Sequence, residues 1–342
     1  MEWGIFRSPG SCLRSYPFLT RQILYAEVNI MKVITDVSKP YRIEEEKPGP
    51  HVLISAGVHG DEYEPMLAAL DLMRRLPEIL IAGSVTIVPL VNAGAFLAGN
   101  RTGKDGLDLA RICPGRADGT DSESAAAGIS NLITKADYYI DLHTGGKSFD
   151  IFPLVGYMLH PSAEILKRQR AMAKAFNLPV VWGTDYSPNG RTLSVARDAH
   201  VPAIYLEFGG GSAVRKDIVN AYIQGCINIL GMLGITRAEK IPKSKIKYWV
   251  EDHSRNAGYL QGKMPAPVGG IFVPAVKLGT VVKKDQLWGI ITDPVQGDQR
   301  EVLADTNGIV LFLRVAPFVR PGEALGGILP IMSPGKLIIN GK

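Results

Sequence analysis

From about residue 50 the chain alternates between short apolar runs and longer stretches with helical spacing. Residues 52–56 are apolar apart from Ser55 and stop at Gly57, which predicts a strand. Residues 62–76 place Met66, Leu67, Leu70 and Met73 on one face of a helix. Further strands are predicted over 85–91, 138–143 and 203–208, each ending near glycine or a polar residue. Residues 122–134, 161–176 and 214–233 read as helices. The first has an acidic first turn, and the second carries Lys167, Arg168 and Arg170 on its exposed side. Between the strand over 85–91 and the first of these helices lies a long Gly-rich stretch over 92–119. Strands that alternate with helices imply an α/β fold, a mostly parallel or mixed sheet flanked by helices.

The pattern changes near Thr236. Helical periodicity stops, and short β-like runs separated by Gly, Pro and Asp begin at Gly270, Gly279, Leu287, Gly308 and Ala324. They predict a small C-terminal all-β, barrel-like domain. The expected organisation is an N-terminal extension and lead-in over 1–45, an α/β domain over 46–235, a linker over 236–248 and the β domain over 249–342.

Composition narrows the setting. At 342 residues, 46% apolar and 21% charged, the chain is long enough for about two domains with a sizeable core. A net charge of +5 is mild, and its one dense basic stretch, Lys240 to Lys247, alternates with other residues as a solvated linker does. No nucleic-acid partner is expected, whereas an anionic small-molecule substrate fits. Cys12, Cys113 and Cys226 are odd in number and widely spaced, so a reducing, cytoplasmic setting is expected. Arg7, Arg14, Arg21 and Glu27 interrupt the first thirty residues, which precede Met31 and contain no clean apolar leader. Residues 79–100 carry no charge, but Gly83, Pro89, Asn92 and Gly94 make a buried strand running into a loop the better reading than a membrane span. A homo-oligomer is compatible with the sequence, which does not specify one.

Four pieces carry candidate chemistry. His59 and Glu62 lie in a strand-to-helix turn flanked by Gly57 and Gly60, where ligands bind in open α/β sheets. An imidazole and a carboxylate there make two-thirds of a catalytic zinc site. His143 closes the strand that contains Asp141 and precedes Gly145 and Gly146. It supplies a third ligand, leaving a fourth position open. Asp141 lies on the same side of that strand and either orients a ligand or caps a loop. Glu207 ends another apolar strand before three glycines, where a buried carboxylate is costly unless used. It suits a base that moves a proton from water to a leaving amine, or pairs with a structural Arg. Arg101 and Arg111 sit in the long loop and offer cations for a carboxylate or an oxyanion, or are ordinary surface residues.

In this order the pieces resemble the succinylglutamate desuccinylase/aspartoacylase family, within the wider zinc carboxypeptidase fold. The resemblance rests on Gly57–Glu62, the stretch from Asn92 through Arg101 and Asp108 to Gly115, Asp141–Gly145 and Glu207–Gly210, and covers roughly 50–330. It implies one zinc ion per chain held by His59, Glu62 and His143, with Glu207 as the catalytic carboxylate. It further implies that Arg101 polarises the scissile carbonyl, that Arg111 grips the substrate carboxylate, and that a C-terminal β domain narrows the mouth of the site. The expected activity is hydrolysis of the amide bond of a small N-acyl amino acid or related acylated amine. Zinc carboxypeptidase action on short peptides and an inactive binding protein of the same fold are the alternatives. Imidazole also suits other transition metals. The chain departs from the family at Ala110, where the pattern carries an Asn that helps hold the substrate carboxylate.

Overall fold

The strands up to residue 251 are β1 (Tyr41–Glu44), β2 (His51–Ser55), β3 (Ser84–Val88), β4 (Tyr138–His143), β5 (Phe149–Met158), β6 (Val180–Thr184), β7 (Ala203–Gly210) and β8 (Tyr248–Glu251). They form a mixed sheet in the order β1-β3-β2-β4-β7-β5, and β6 then β8 add beside β5. The run from β3 through β2 and β4 to β7 is parallel. These coordinates come from a computed structural model, which describes residues 39–237, 243–255, 257–258 and 263–330. The expected lead-in before residue 39, with Cys12, lies outside the described residues.

The helices are α1 (Tyr63–Ile79), α2 (Ala93–Ala98), α3 (Leu109–Ile112), α4 (Asp121–Ile133), α5 (Ala163–Phe176), α6 (Thr192–Asp198) and α7 (Lys216–Met232). Both faces of the central strands are covered. Along β2, Val52 and Ile54 point into a core shared with Leu72 of α1, Met172 of α5 and Ile229 of α7. Leu53 points the other way, into a core with Ile133 of α4 and Leu193 of α6. A strand buried on both faces needs apolar side chains at successive positions, which is why these runs read as continuous rather than alternating. Residues 84–88 are a buried strand, and among the described residues no helix is long and apolar enough to cross a membrane.

The later strands are β9 (Gly270–Pro274), β10 (Val281–Val282), β11 (Leu287–Thr292), β12 (Gln299–Leu303), β13 (Gly308–Arg314), β14 (Phe318–Val319) and β15 (Gly326–Leu329). Four of them form a separate antiparallel sheet, β12-β11-β9-β14. The fully buried β13 instead pairs with β5, setting Phe312 opposite Ile151, and carries β10 and β15 with it. The C-terminal segment thus extends the main sheet as well as building its own.

Strand β5 is not visible in the periodicity, because Pro153 and Gly156 mimic a break. Pro153 falls inside the register shift between Ile151 and Leu154, where its missing N–H costs no ladder bond. Arg170 also differs from expectation. It leaves the solvated face of α5 and forks onto Glu251 of β8, at 2.7 and 2.6 Å. The Tyr157 hydroxyl donates to the same carboxylate at 2.5 Å. Burial disfavours the Glu251 anion, but the bonds from Arg170 and Tyr157 outweigh it and hold its pKa below the ordinary 4.5. The resulting stabilisation is present above that value and is lost as pH falls through the depressed one. Glu251→Gln is therefore expected to cost about 1–2 kcal/mol near neutrality, discounted because the Arg170 side chain is 37% exposed. Urea unfolding should show the deficit shrinking as pH is lowered from about 5 toward 3. A deficit that stays constant would refute this account.

Candidate active site

His59 and Glu62 occupy the turn between β2 and α1, and His143 is the last residue of β4. Strands β2 and β4 are parallel neighbours, so both stretches emerge on one edge of the sheet. Gly57 turns with a left-handed φ of 67°, and a Cβ on Gly60 would come within 2.0 Å of the Ala95 backbone. Glycine at these positions lets the turn fold tightly against α2. His59 Nδ1 then lies 2.7 Å from Glu62 Oε1, and His143 Nδ1 lies 2.9 Å from Glu62 Oε2. One ligand atom from each residue falls within 4.8 Å of the others, and all three residues are buried.

A buried carboxylate needs compensation. Burial opposes the Glu62 anion, but His59 and His143 hold its pKa well below the usual carboxylate range. Burial alone would lower the His143 pKa, whereas Asp141 and Glu62 drive it well above the usual imidazole value. Two imidazole nitrogens and a carboxylate oxygen converging in a buried site fit a divalent transition metal such as zinc.

Each imidazole presents Nδ1 to Glu62 and has its other nitrogen backed by an aspartate. His143 Nε2 is 3.1 Å from Asp141 Oδ2. Asp141 also accepts hydrogen bonds from Ser55 at 2.7 Å and Thr192 at 2.5 Å. Its side chain therefore faces the histidine instead of capping a loop. His59 Nε2 is 3.3 Å from Asp108 Oδ1. Asp108 is a site residue that the sequence did not single out. It caps α3 by accepting from the Ala110 N–H at 3.1 Å, and it accepts from Arg101 Nε at 3.1 Å. Nothing in a loop Asp distinguishes such a role from an ordinary helix cap. Asp108→Asn keeps a capping oxygen but loses the charge behind His59 and Arg101. It is expected to weaken metal binding by about 10–100-fold, measured by competition with a chromophoric chelator. Unchanged affinity would leave Asp108 as a cap only.

Glu207 on β7 is the direct neighbour of His143 across the parallel ladder. Its Oε2 is buried with no hydrogen-bond partner among the described residues. Burial pushes its pKa up to about 8, with His143 opposing and Glu62 adding to the rise. A cavity of about 210 Å³ joins Glu207 and the two histidines to Arg101, Arg111 and Arg191. Arg101 Nη1 reaches within 3.4 Å of His59 Nδ1. Arg111 lies on α3, and its Nη1 donates to the Ala110 carbonyl at 2.7 Å. Arg191 was not foreseen. The loop before it packs on α3, where the Cys113 N–H donates to the Gly190 carbonyl at 3.0 Å, and this brings Arg191 to the cavity that Arg111 lines. Ala110 and, from the C-terminal segment, Phe312 complete part of the wall.

Residues 48–233 match the family model of the succinylglutamate desuccinylase/aspartoacylase catalytic domain. Over 301 residues the chain is 29% identical to the N-alpha-acetyl-L-2,4-diaminobutyric acid deacetylase of Halomonas elongata, with 86% of each chain covered. It is similar to the solved succinylglutamate desuccinylase/aspartoacylase of Rhodobacter sphaeroides, at 29% identity and a TM-score of 0.72 over 82% of this chain and 86% of that one. The product-bound ectoine utilization protein EutE (DoeB) of Ruegeria pomeroyi is 26% identical, with a TM-score of 0.77 over 84% and 87%. The family match spans more than half of the chain and contains His59, Glu62, Asp108, His143 and Glu207. The chain belongs to the succinylglutamate desuccinylase/aspartoacylase family.

Proposed function

We propose that the protein is a zinc-dependent deacylase that hydrolyses the amide bond of a small, anionic N-acyl amino acid or related acylated amine, with one metal ion per chain. The observation that carries this reading is the convergence of His59, Glu62 and His143 beside Glu207 in one cavity. The Halomonas elongata relative, a deacetylase of an N-acetylated amino acid, supports it. Free, buried Cys113 and Cys226 support a cytoplasmic setting.

His59, Glu62 and His143 would hold the metal, which when bound acidifies an attacking water and polarises a carbonyl. Glu207 accepts the proton of that water and delivers it to the leaving nitrogen. Arg101, steadied by Asp108, faces the oxygen on which negative charge develops. Arg111 and Arg191 orient the substrate carboxylate. The cavity, at about 210 Å³, is smaller than the roughly 300–1,000 Å³ of drug-sized sites, which favours a small acylated amino acid over a peptide. Ala110 cannot donate the side-chain hydrogen bond of the family Asn, but His59, Glu62, His143 and Glu207 are all in place, so catalysis is retained.

Two measurements test the reading. Elemental analysis of the purified protein should find one equivalent of a divalent metal, zinc by expectation. A panel of N-acetyl, N-succinyl and N-formyl amino acids should then release free amine. A metal-loaded protein that hydrolyses none of them is not a deacylase of this class.

A further inference from the structure

The loop that joins β6 to α6 leaves the cavity at Thr184 and returns to it at Arg191. Its start is held by its own turn, where Asp185 accepts from the Ser187 N–H at 2.9 Å and from the Ser187 hydroxyl at 2.7 Å. Its end is held by the start of α6, where the Arg191 N–H donates to Ser194 Oγ at 2.9 Å. Between these anchors Tyr186, Ser187 and Asn189 are exposed, so burial does not fix the path of the chain there. Arg197, in the last turn of α6, reaches back to this stretch. Its Nη1 donates to the Tyr186 carbonyl and, at 3.4 Å, to the Pro188 carbonyl. Its Nη2 donates to Asn189 Oδ1 at 2.7 Å, and its Nε to Asp198 at 2.8 Å. Only 14% of the Arg197 side chain is exposed. Among the described residues, these bonds are what ties Tyr186, Pro188 and Asn189 to the domain.

The loop then delivers Gly190 onto α3. Gly190 has a left-handed φ of 80°, and its carbonyl accepts from the Cys113 N–H. A Cβ on Gly190 would lie 2.2 Å from the Arg111 carbonyl oxygen. The residue before Arg191 is therefore in close backbone contact with Arg111. That contact sets how the two cations of the cavity stand relative to each other, and the path of residues 186–189 sets the contact. A planar guanidinium with donors on three nitrogens can hold several acceptors of such a loop at once.

Resting on the deacylase reading, in which Arg111 and Arg191 orient the substrate carboxylate, we infer that Arg197 is a positioning residue that clasps residues 186–189 and so holds Arg191 in register with Arg111. Arg197 is not among the residues that line the cavity, and it acts only through the loop. A misplaced Arg191 weakens the grip on a carboxylate that stays intact throughout the reaction, so the loss falls on binding rather than on the chemical step.

The test uses the full chain loaded with zinc, its metal content verified. On the best-hydrolysed acylated amino acid of the panel, Arg197→Gln is expected to raise KM about tenfold with kcat little changed. Arg191→Gln is expected to raise KM at least as much, and the double variant to add little to Arg191→Gln alone, because the clasp acts through Arg191. An unchanged KM in Arg197→Gln, or effects that simply add, overturn the inference. A fall in kcat or in metal content with KM unchanged marks a general packing defect and overturns it equally. Calorimetric titration with succinate, an anionic probe that needs no turnover, is expected to show about tenfold weaker binding in Arg197→Gln. Binding equal to that of the unaltered chain overturns the inference, and an unaltered chain that binds no succinate removes the anion grip of Arg111 and Arg191 and the clasp with it. Failure of the unaltered chain to hydrolyse any acylated amino acid defeats the deacylase reading itself, while the succinate titration still decides the role of Arg197.

Discussion

Glu207→Gln is expected to lower kcat by about 10²–10⁴-fold, the range that a positioned general acid–base contributes, while the protein keeps its metal. Glutamine has nearly the shape of glutamate and keeps the place beside His143 on the β4–β7 ladder. It can neither take a proton from water nor return one to the leaving nitrogen. Because the lost interaction belongs to the transition state, kcat and kcat/KM should fall together with little change in KM. Steady-state kinetics and elemental analysis on the same sample separate this from a folding defect. Activity near that of the unaltered chain would take Glu207 out of the reaction. Loss of the metal along with activity would make it a ligand instead.

The parts of this site that were legible in the sequence are those that one strand end and its following turn can hold. His59, Glu62, His143 and Glu207 each follow or close an apolar run before glycine, and the parallel order β2-β4-β7 brings those ends to one edge. The parts that were not legible depend on register between distant segments. Asp108 looks like a loop residue until α3 aims it at His59. Arg191 looks like one more surface cation until its loop packs on α3. Phe312 reads as the core of a β domain, and only the pairing of β13 with β5 gives it a place in the cavity. Arg170 follows the same logic, since its partner Glu251 is far along the chain and leaves no trace in the spacing of α5. Strand β5 was hidden for a different reason. Its Pro153 and Gly156 are local breakers, and the sheet tolerates the proline only because a register shift coincides with it.

Glu62→Gln is expected to abolish turnover by removing the metal. The two carboxylate oxygens of Glu62 each meet one imidazole Nδ1 and carry the negative charge between them. A glutamine offers one oxygen and one N–H₂ group, so at least one histidine meets a donor where it had an acceptor, and the charge that attracts a cation is gone. Loss of a direct ligand should exceed the roughly 10–100-fold that loss of an outer partner costs in affinity. Dialysis followed by elemental analysis should return a protein with little metal, and added zinc should restore little activity. The metal-free variant should also be less stable than the metal-free parent, by about 1–3 kcal/mol in urea unfolding with a chelator present. The loss stays in that range and not higher because His143, deprived of Glu62, can shed its proton instead of remaining a buried cation. A Glu62→Gln protein that retains one equivalent of metal through dialysis would show that the cation sits elsewhere. The pairing of His59 and His143 with Glu62 would then be a structural ion cluster.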